Sequence, residues 1–322
     1  MNDKFLKRMK INKLIVTLVM TTIAVVSNAQ QDAVTSQFVM NKLLVNPGYA
    51  GYRERAVITA VHRSQWIGFK GAPMTQTISF DTPLKKNELA AGGILVHDRI
   101  GPTTRIGLVG DFAYRVRLTN RATLSWGAQA SVDMYQMNLT DLNLTGDYYG
   151  LTDEAFMYNT KGLIIPNIGF GAYYHKKDHF LGISCPKMLR PKIEKKSSPG
   201  YSLLDGRQEP TIYLMGGKQF KASKDLFIIA SGLVRSQMNA PMSVGVYANA
   251  VYLKNFNLGI YYHLREVVGL MFQWQIDSQF RVGYSADVPT NVLLRNSWGS
   301  HELAVSYAIA SSKKRIVYPR YF

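Results

Sequence analysis

The chain has 322 residues and carries 38 lysines and arginines against 21 aspartates and glutamates, which gives a formal net charge of +17. Its single cysteine, Cys185, excludes both a disulfide framework and a four-cysteine zinc site. Beyond the N-terminal apolar stretch, no run of about 18 apolar residues occurs, so the sequence predicts no helical membrane span there.

Residues 1–29 have the pattern of a secretory signal peptide. Five basic residues precede the apolar run 14–26, and the triplet 27–29 has small residues at both ends of an expected cleavage site. Its removal would leave a mature chain that starts near Gln30 with a net charge of about +13. No cysteine follows the cleavage point, as a lipoprotein anchor would require. The expected classes are therefore a soluble exported protein and an outer-membrane barrel.

The rest of the chain alternates between apolar and small or polar residues with a period of two, which is typical of β-strands. In residues 256–263, for example, Phe256, Leu258, Ile260 and Tyr262 alternate with smaller or more polar residues. Most of the predicted strands reach the roughly 9 to 11 residues that cross a bilayer at a tilt. The fourteen predicted strands are 55–66, 72–82, 88–97, 105–117, 122–136, 165–176, 179–186, 208–220, 225–235, 243–253, 256–265, 267–276, 279–287 and 300–310.

The predicted connections alternate in length. Every second one is short, as at 177–178, 254–255 and 277–278, whereas 98–104, 137–164 and 187–207 are among the longer ones. Short turns on one rim and long loops on the other are typical of bacterial outer-membrane barrels. We therefore predict an all-β fold, a transmembrane antiparallel up-and-down β-barrel of about fourteen strands with periplasmic N- and C-termini. A soluble β-sandwich would also alternate, but its strands are usually shorter and glycine is costly in its core face.

This interpretation divides the chain into four parts. They are a signal peptide (1–29), a periplasmic N-terminal segment (30–54), an outer-membrane β-barrel (55–311) and a basic periplasmic C-terminal tail (312–322). Outer-membrane lipid would surround the barrel, which would be an integral protein of that membrane.

The stretch 45–56, VNPGYAGYRERA, stands just before the first predicted strand. Proline fixes φ and glycine permits a positive φ, so Asn46 to Gly51 can form a compact turn with Tyr49 as its anchor. Two interpretations remain open. One is a structural staple that tucks the N-terminal segment into or under the barrel. The other is a partner-facing surface, for which the candidate residues are Asn46, Pro47, Tyr49 and Gly51.

Basic residues concentrate at the predicted short-turn rim and in the tail. Solvated turns commonly carry lysine, which is the simpler explanation. The alternative is an electrostatic dock for an acidic periplasmic partner, since a surface of one sign raises encounter rates and rejects wrong partners. Nucleic acid is not an expected partner of an exported barrel. The candidate docking residues are Lys85, Lys86, Lys176, Lys177, Lys221, Lys224, Lys313, Lys314, Arg315 and Arg320.

Signals of enzymatic chemistry are weak, and we predict no enzymatic activity, metal or cofactor. His175, Asp178 and His179 flank a predicted hairpin turn, but no third histidine is near them in sequence. The Ser-His-Glu triplet at 300–302 has the residue types of a triad, yet consecutive strand residues point to opposite faces. The sequence holds no G-x-S-x-G, P-loop or H-E-x-x-H motif. An outer-membrane hydrolase is thus a distant alternative.

Residues 37–84 resemble the N-terminal signature of the PorP/SprF family of outer-membrane proteins from the type IX secretion and gliding machinery of Bacteroidetes. Later motifs, such as "DRIGPT" at 98–103, "PNIGFGAYY" at 166–174 and "GSHELAVSY" at 299–307, resemble the same family, whereas 137–164 matches poorly. The similarity covers essentially the whole mature chain. The matching N-terminal positions are Gln37, Phe38, Asn46, Pro47, Tyr49, Ala50, Gly51, Arg63, Gln65, Trp66, Gly68, Gly71, Ala72, Pro73, Thr75, Gln76 and Thr77.

The resemblance implies a β-barrel without enzymatic activity that works with periplasmic ring and motor proteins of type IX secretion. Some members of the family are paired with a secreted adhesin or large cargo, whose C-terminal domain they help to export or hold at the cell surface. A solute-conducting transport barrel is the main alternative, and such a pore should have a charged lumen. The predicted inner face is mainly Gly, Ala, Ser, Asn and Tyr with scattered Arg105, Arg115 and Arg281, which suits a filled interior.

Overall fold

The computed structural model describes residues 36–84, 88–119, 122–138, 159–198, 201–238, 240–291 and 297–309. The predicted signal peptide and C-terminal tail lie outside these ranges. The same holds for six of the candidate docking residues, namely Lys85, Lys86, Lys313, Lys314, Arg315 and Arg320.

Fourteen strands form one closed antiparallel barrel, and two more form a separate hairpin. Neighbours along the chain pair with each other, except that β7 pairs with β10 and that β16 closes the barrel against β1. The predicted barrel and its number of strands are thereby confirmed. The strands are β1 Val57–Ser64, β2 Met74–Pro83, β3 Leu89–Ile100, β4 Thr103–Thr119, β5 Ala122–Met137, β6 Thr160–Lys176, β7 His179–Cys185, β8 Lys192–Ser198, β9 Tyr201–Arg207, β10 Thr211–Lys221, β11 Leu226–Gln237, β12 Ser243–Tyr252, β13 Phe256–His263, β14 Val267–Gln275, β15 Phe280–Pro289 and β16 Ser300–Ala308.

The period-two pattern sorts the side chains between lipid and lumen. On β13, Leu258 and Ile260 are 61% and 58% exposed on the outer face, whereas Asn257 is 5% exposed on the inner face. An apolar outer row and a small or polar inner row are what a barrel in lipid requires. Among the described residues, no helix has the length and apolar character needed to span a membrane.

Two connections differ from the sequence prediction. The predicted loop 98–104 is a tight turn, because β3 extends to Ile100 and β4 already begins at Thr103. Gly101, between the two strands, has a φ of 56°. The predicted loop 187–207 contains the hairpin β8–β9. The sequence did not predict these strand ends or this hairpin, because neither stretch shows the alternation of polar and apolar residues that is typical of a strand facing lipid.

The N-terminal segment fills the barrel. We predicted a periplasmic segment at 30–54, and the structure places its described part, residues 36–54, in the lumen. We call residues 36–54 the lumen segment; it contains two 3-10 helices, Lys42–Leu44 and Pro47–Tyr49. Most of its apolar side chains, including Phe38 and Val45, are at most 6% exposed, and Leu44 is partly buried. The hydrophobic effect accounts for this position, because these side chains would face water at a barrel mouth.

Candidate functional site: the filled lumen and its two rims

The lumen segment is fixed near its middle by Asn46. This side chain is fully buried, and its Oδ1 accepts a hydrogen bond from the Gly48 N–H at 2.8 Å. Its Nδ2 donates to the carbonyl oxygens of Ala172 on β6, at 3.0 Å, and Ile183 on β7, at 3.3 Å. One amide therefore caps the second 3-10 helix and also binds that helix to the barrel wall.

Glycines on the inner wall make room for this turn. A side chain at Gly127 on β5 would collide with backbone atoms of Pro47 and Gly48, and one at Gly171 on β6 would collide with the Asn46 side chain. Glycine weakens a strand unless another part of the chain approaches closely. The small residues of the inner wall thus fit the segment that fills the lumen.

The turn ends at Gly51, which has a φ of 66°. The Gly51 N–H donates to Asp81 Oδ2 on β2 at 3.0 Å, and its carbonyl accepts a hydrogen bond from Arg115 Nη1 on β4 at 2.7 Å. The Tyr49 ring packs edge-on against Tyr173, with 5.4 Å between centroids. All four candidate residues of this turn are buried in the lumen. This arrangement agrees with the staple interpretation, and their contact with a partner stays a prediction.

The start of the lumen segment is held by a buried cluster of charges. Glu302 on β16 accepts hydrogen bonds from the backbone N–H groups of Ser36, at 2.9 Å, and Gln37, at 3.0 Å. Arg63 Nη1 lies 3.2 Å from Asp287 Oδ2 and 3.4 Å from Glu302 Oε2. Buried carboxylates need such a cation and such donors, since desolvation of an unpaired charge is costly. The cluster therefore joins the segment to β1, β15 and β16.

Sequence reasoning missed this cluster. Arg63 was noted only as a position of family resemblance, and Glu302 only as part of a triplet with triad residue types. The sequence signal that could have revealed the cluster is Glu302 itself. It is an acid at an inward position of a predicted strand, and a buried acid needs a partner.

The connection after β7 also enters the barrel. Pro186 lies with its backbone against Gly169 on the inner face of β6. The next residue, Lys187, has its Nζ 2.9 Å from Asp133 Oδ2 on β5, and Arg105 Nη1 lies 3.6 Å from Asp133 Oδ1. The lumen therefore holds chain from this loop-side connection as well as the lumen segment.

The four described docking candidates lie together on the short-turn rim. Lys176 ends β6 and Lys177 follows it in the connection β6–β7. Lys221 ends β10 and Lys224 lies in the connection β10–β11; all four are exposed. The two connections are neighbours because β7 pairs with β10. Lys254, in the next short turn, is also exposed. Asp178 and Asp225 lie in the same two connections, so one side of this rim has a net positive charge.

Asp277 is an acid of the same rim, in the connection β14–β15. Its Oδ1 accepts hydrogen bonds from the backbone N–H groups of Phe280, at 2.8 Å, and Gln279, at 2.6 Å. These two donors lower the pKa of Asp277 below its ordinary value because they stabilise the charged form. The carboxylate thus holds the turn while it stays ionised.

The structure separates the residues that could have formed a metal site. His175 faces inward, with its ring centroid 4.6 Å from that of Tyr52, whereas His179 lies on the outer face with Nδ1 3.1 Å from Asp178 Oδ1. Within the described ranges, no group of three or more histidines, cysteines or acids could hold a metal ion. In the triplet 300–302, the first and third side chains are buried and the second is on the outer face.

Comparisons with known proteins agree with this fold. A model of the family described as type IX secretion system membrane protein PorP/SprF matches residues 27–307. Among solved structures, the CymD monoaromatic hydrocarbon channel is similar with a TM-score of 0.52 and 10% identity, over 88% of this chain and 94% of that chain. The Acinetobacter baumannii outer membrane protein Omp33 has a TM-score of 0.43 and 10% identity, over 80% of this chain and 99% of that chain. No curated protein matches the sequence. At such low identity, the similarity to CymD concerns the fold alone.

Proposed function

This chain belongs to the PorP/SprF family of type IX secretion system membrane proteins, and we propose that it serves secretion as a scaffold. It is an integral outer-membrane β-barrel and a membrane component of type IX secretion. In our proposal it has no enzymatic activity. It docks periplasmic ring or motor proteins and acts as a surface-attachment partner for the C-terminal domain of a secreted adhesin or cargo.

The filled lumen is the observation that carries this proposal. The lumen segment is hydrogen-bonded to opposite parts of the wall. Asn46 donates to β6 and β7, and the Ser36 N–H donates to Glu302 on β16. A barrel whose interior is occupied by its own chain leaves its outer surface and rims for binding. This favours a scaffold over the alternative, a solute-conducting barrel.

The basic short-turn rim supports the docking part of the proposal. If the short turns are periplasmic, as we predict, Lys176, Lys177, Lys221 and Lys224 face the periplasm as one cationic surface. Such a surface would attract an acidic partner and accelerate its encounter with the barrel. The same charges would leave an uncharged or basic protein unbound.

Charge inversion tests the dock. In native membranes, the double variant Lys221→Glu and Lys224→Glu should recover less of the periplasmic partner by affinity isolation, and the loss should be larger at low ionic strength. Lys70→Glu with Arg265→Glu, an equal change of charge at two exposed sites of the loop rim, is the matched control. Unchanged recovery with the first pair, or equal loss with both pairs, would contradict a dock at the short-turn rim.

A further inference from the structure

The outer face of four neighbouring strands differs from the rest of the barrel. On β16, β1, β2 and β3, polar side chains occupy outward positions in the half of the barrel nearer the loops. We call this surface the polar wall. It consists of His62, Gln76, His97, Arg99 and His301.

Strand register brings these side chains side by side. His62 pairs with Gln76, and Gln76 pairs with His97. In the next outward row nearer the loops, His301 pairs with Ser64, Ser64 with Met74 and Met74 with Arg99. The five residues of the polar wall therefore form one surface and not five isolated positions.

The polar wall lies at a depth where lipid is expected. Phe80 and Tyr307 both pair with Ile58 near the start of β1, so the aromatic level of the short-turn side lies there. A rise of about 3.3 Å per residue and a tilt of about 40° place His62 roughly 10 Å above Ile58. The apolar band of such barrels is about 25 Å tall. His62 therefore lies near the middle of the band.

The wall formed by β13 and β14 is apolar at a similar depth. Ile260 on β13 and Leu270 on β14 pair with each other and are 58% and 61% exposed. Counted from Phe256, Ile260 lies roughly 10 Å above the start of its strand. The outward positions of β13 and β14 are thus apolar at this depth, so barrel geometry alone does not account for the polar outer face of β16, β1, β2 and β3.

Polar side chains in lipid are unfavourable unless they find hydrogen-bonding partners. Internal bonds satisfy some of them, since His62 Nε2 lies 3.2 Å from Ser64 Oγ and His301 Nδ1 lies 2.5 Å from Tyr284 Oη. Arg99 is exposed, and so is Gln76. The wall therefore presents hydrogen-bonding capacity outward, toward whatever covers it.

The charge of the wall indicates what covers it. Among the outward residues described on β16, β1, β2 and β3, none is acidic, while Arg99 is cationic and the histidines can donate. A second copy of this chain, packed symmetrically, would place Arg99 near its own counterpart and supply no acid. Lipid headgroups lie at the membrane surface, above the depth of His62. A protein with acceptor groups at this depth fits better.

The loop rim directly above the wall carries an independent signal. Ile67 N–H donates to the Gly299 carbonyl and Trp298 N–H donates to the Ile67 carbonyl, both at 2.8 Å, so two loops pair over this sector. The Trp298 side chain is nevertheless 83% exposed. Tryptophan is enriched among the residues that dominate protein–protein binding, where it becomes buried in the interface. The rim and the wall thus form one continuous surface.

We propose that the polar wall is a lateral interface for a second membrane-embedded protein that presents carboxylate or carbonyl acceptors at this depth. The rim around Trp298 extends the contact beyond the membrane. This interface is separate from the short-turn rim, so it does not depend on the periplasmic dock.

Site-specific photocrosslinking in native outer membranes tests the interface. A benzoylphenylalanine placed at Gln76 should give an adduct with a membrane-embedded protein, identified by mass spectrometry, and the same probe at Ile260 should not. Adding His62→Leu and Arg99→Leu should reduce the yield of that adduct by about tenfold or more, since polar pairs are lost. Tyr262→Leu, an outward change on β13, is the control and should leave the yield unchanged.

A second measurement separates an interface from a structural role. In pure lipid vesicles without the partner, His62→Leu with Arg99→Leu should raise the urea midpoint of unfolding, because fewer polar groups face lipid. A lower midpoint would mean that these residues serve the barrel itself and would overturn the proposal. Three crosslinking results would also overturn the proposal. They are an adduct of twice the chain's own mass, adducts with lipid only, and a yield that is unchanged by His62→Leu with Arg99→Leu.

Discussion

Replacing Glu302 with alanine should release the first residues of the lumen segment. Glu302 is fully buried and accepts the backbone N–H groups of Ser36 and Gln37. A hydrogen bond to a charged group contributes about 1.5–3 kcal/mol, so loss of both should cost the bound segment roughly 3 kcal/mol or more. Once released, the two N–H groups bond to water. The change should therefore multiply the released fraction by roughly 100.

Cysteine labelling measures this release. Val39 is 6% exposed in the lumen, and Val39→Cys in a Cys185→Ser background places one thiol on the segment. Its rate of reaction with a hydrophilic maleimide should follow the fraction of time for which the segment is out. We expect Glu302→Ala to accelerate labelling roughly 100-fold and Glu302→Gln, which keeps an acceptor oxygen and the side-chain shape, to accelerate it less.

The control acid for this experiment is Glu266. It lies within 4.0 Å of Arg235 and within 3.6 Å of His263, away from the start of the lumen segment. Glu266→Ala should leave the labelling rate unchanged. Equal rates for Glu302→Ala and its parent, in barrels that keep their folded mobility on unheated gels, would refute the idea that Glu302 holds the segment.

Three further predictions concern the lumen and the short-turn rim. Purified protein in planar bilayers should show no large, steady single-channel currents, because the lumen is occupied; such currents would favour the solute-conducting alternative. Tyr49→Ala should lower the free energy of unfolding by about 3–5 kcal/mol in urea titrations, since a buried aromatic ring is lost; a normally stable barrel with lost secretion would instead favour partner contact through this turn. Asp277→Ala should destabilise the barrel at neutral pH, and because the pKa of Asp277 is lowered on folding, the difference from the parent should disappear as pH falls below about 4; a difference that persists at lower pH would contradict this role.

The barrel could be predicted from the sequence because its signal is local. Alternation along a strand such as 256–263 reflects lipid on one side and lumen on the other, and short turns separate neighbouring strands. The extent of the strands was harder to predict where polar residues interrupt the pattern. Asp98 is such a case, since it faces the lumen and accepts a hydrogen bond from Thr75 Oγ1 at 2.7 Å.

The filled lumen could be predicted only in outline. Small residues on the inner face suggested a filled interior, and the turn at Asn46 to Gly51 suggested a staple. Which residues meet was beyond reach, because Ser36 and Glu302 are 266 positions apart and no short-range pattern connects them. The polar wall was hidden in part for a similar reason, since His301 joins His62 and His97 only when β16 pairs with β1 and closes the barrel.

The position of the lumen segment constrains the order in which the barrel can assemble. Only residues 55 and 56 separate it from β1, the strand that pairs with β16 to close the barrel. Once that seam has formed, the wall is continuous and gives the segment no lateral path inward. After closure the segment can reach the lumen only through a barrel mouth, whereas an open sheet can take it up directly. Contacts between the two ends of the chain are the slowest kind to form, so seam closure and lumen filling should be a single late step of folding.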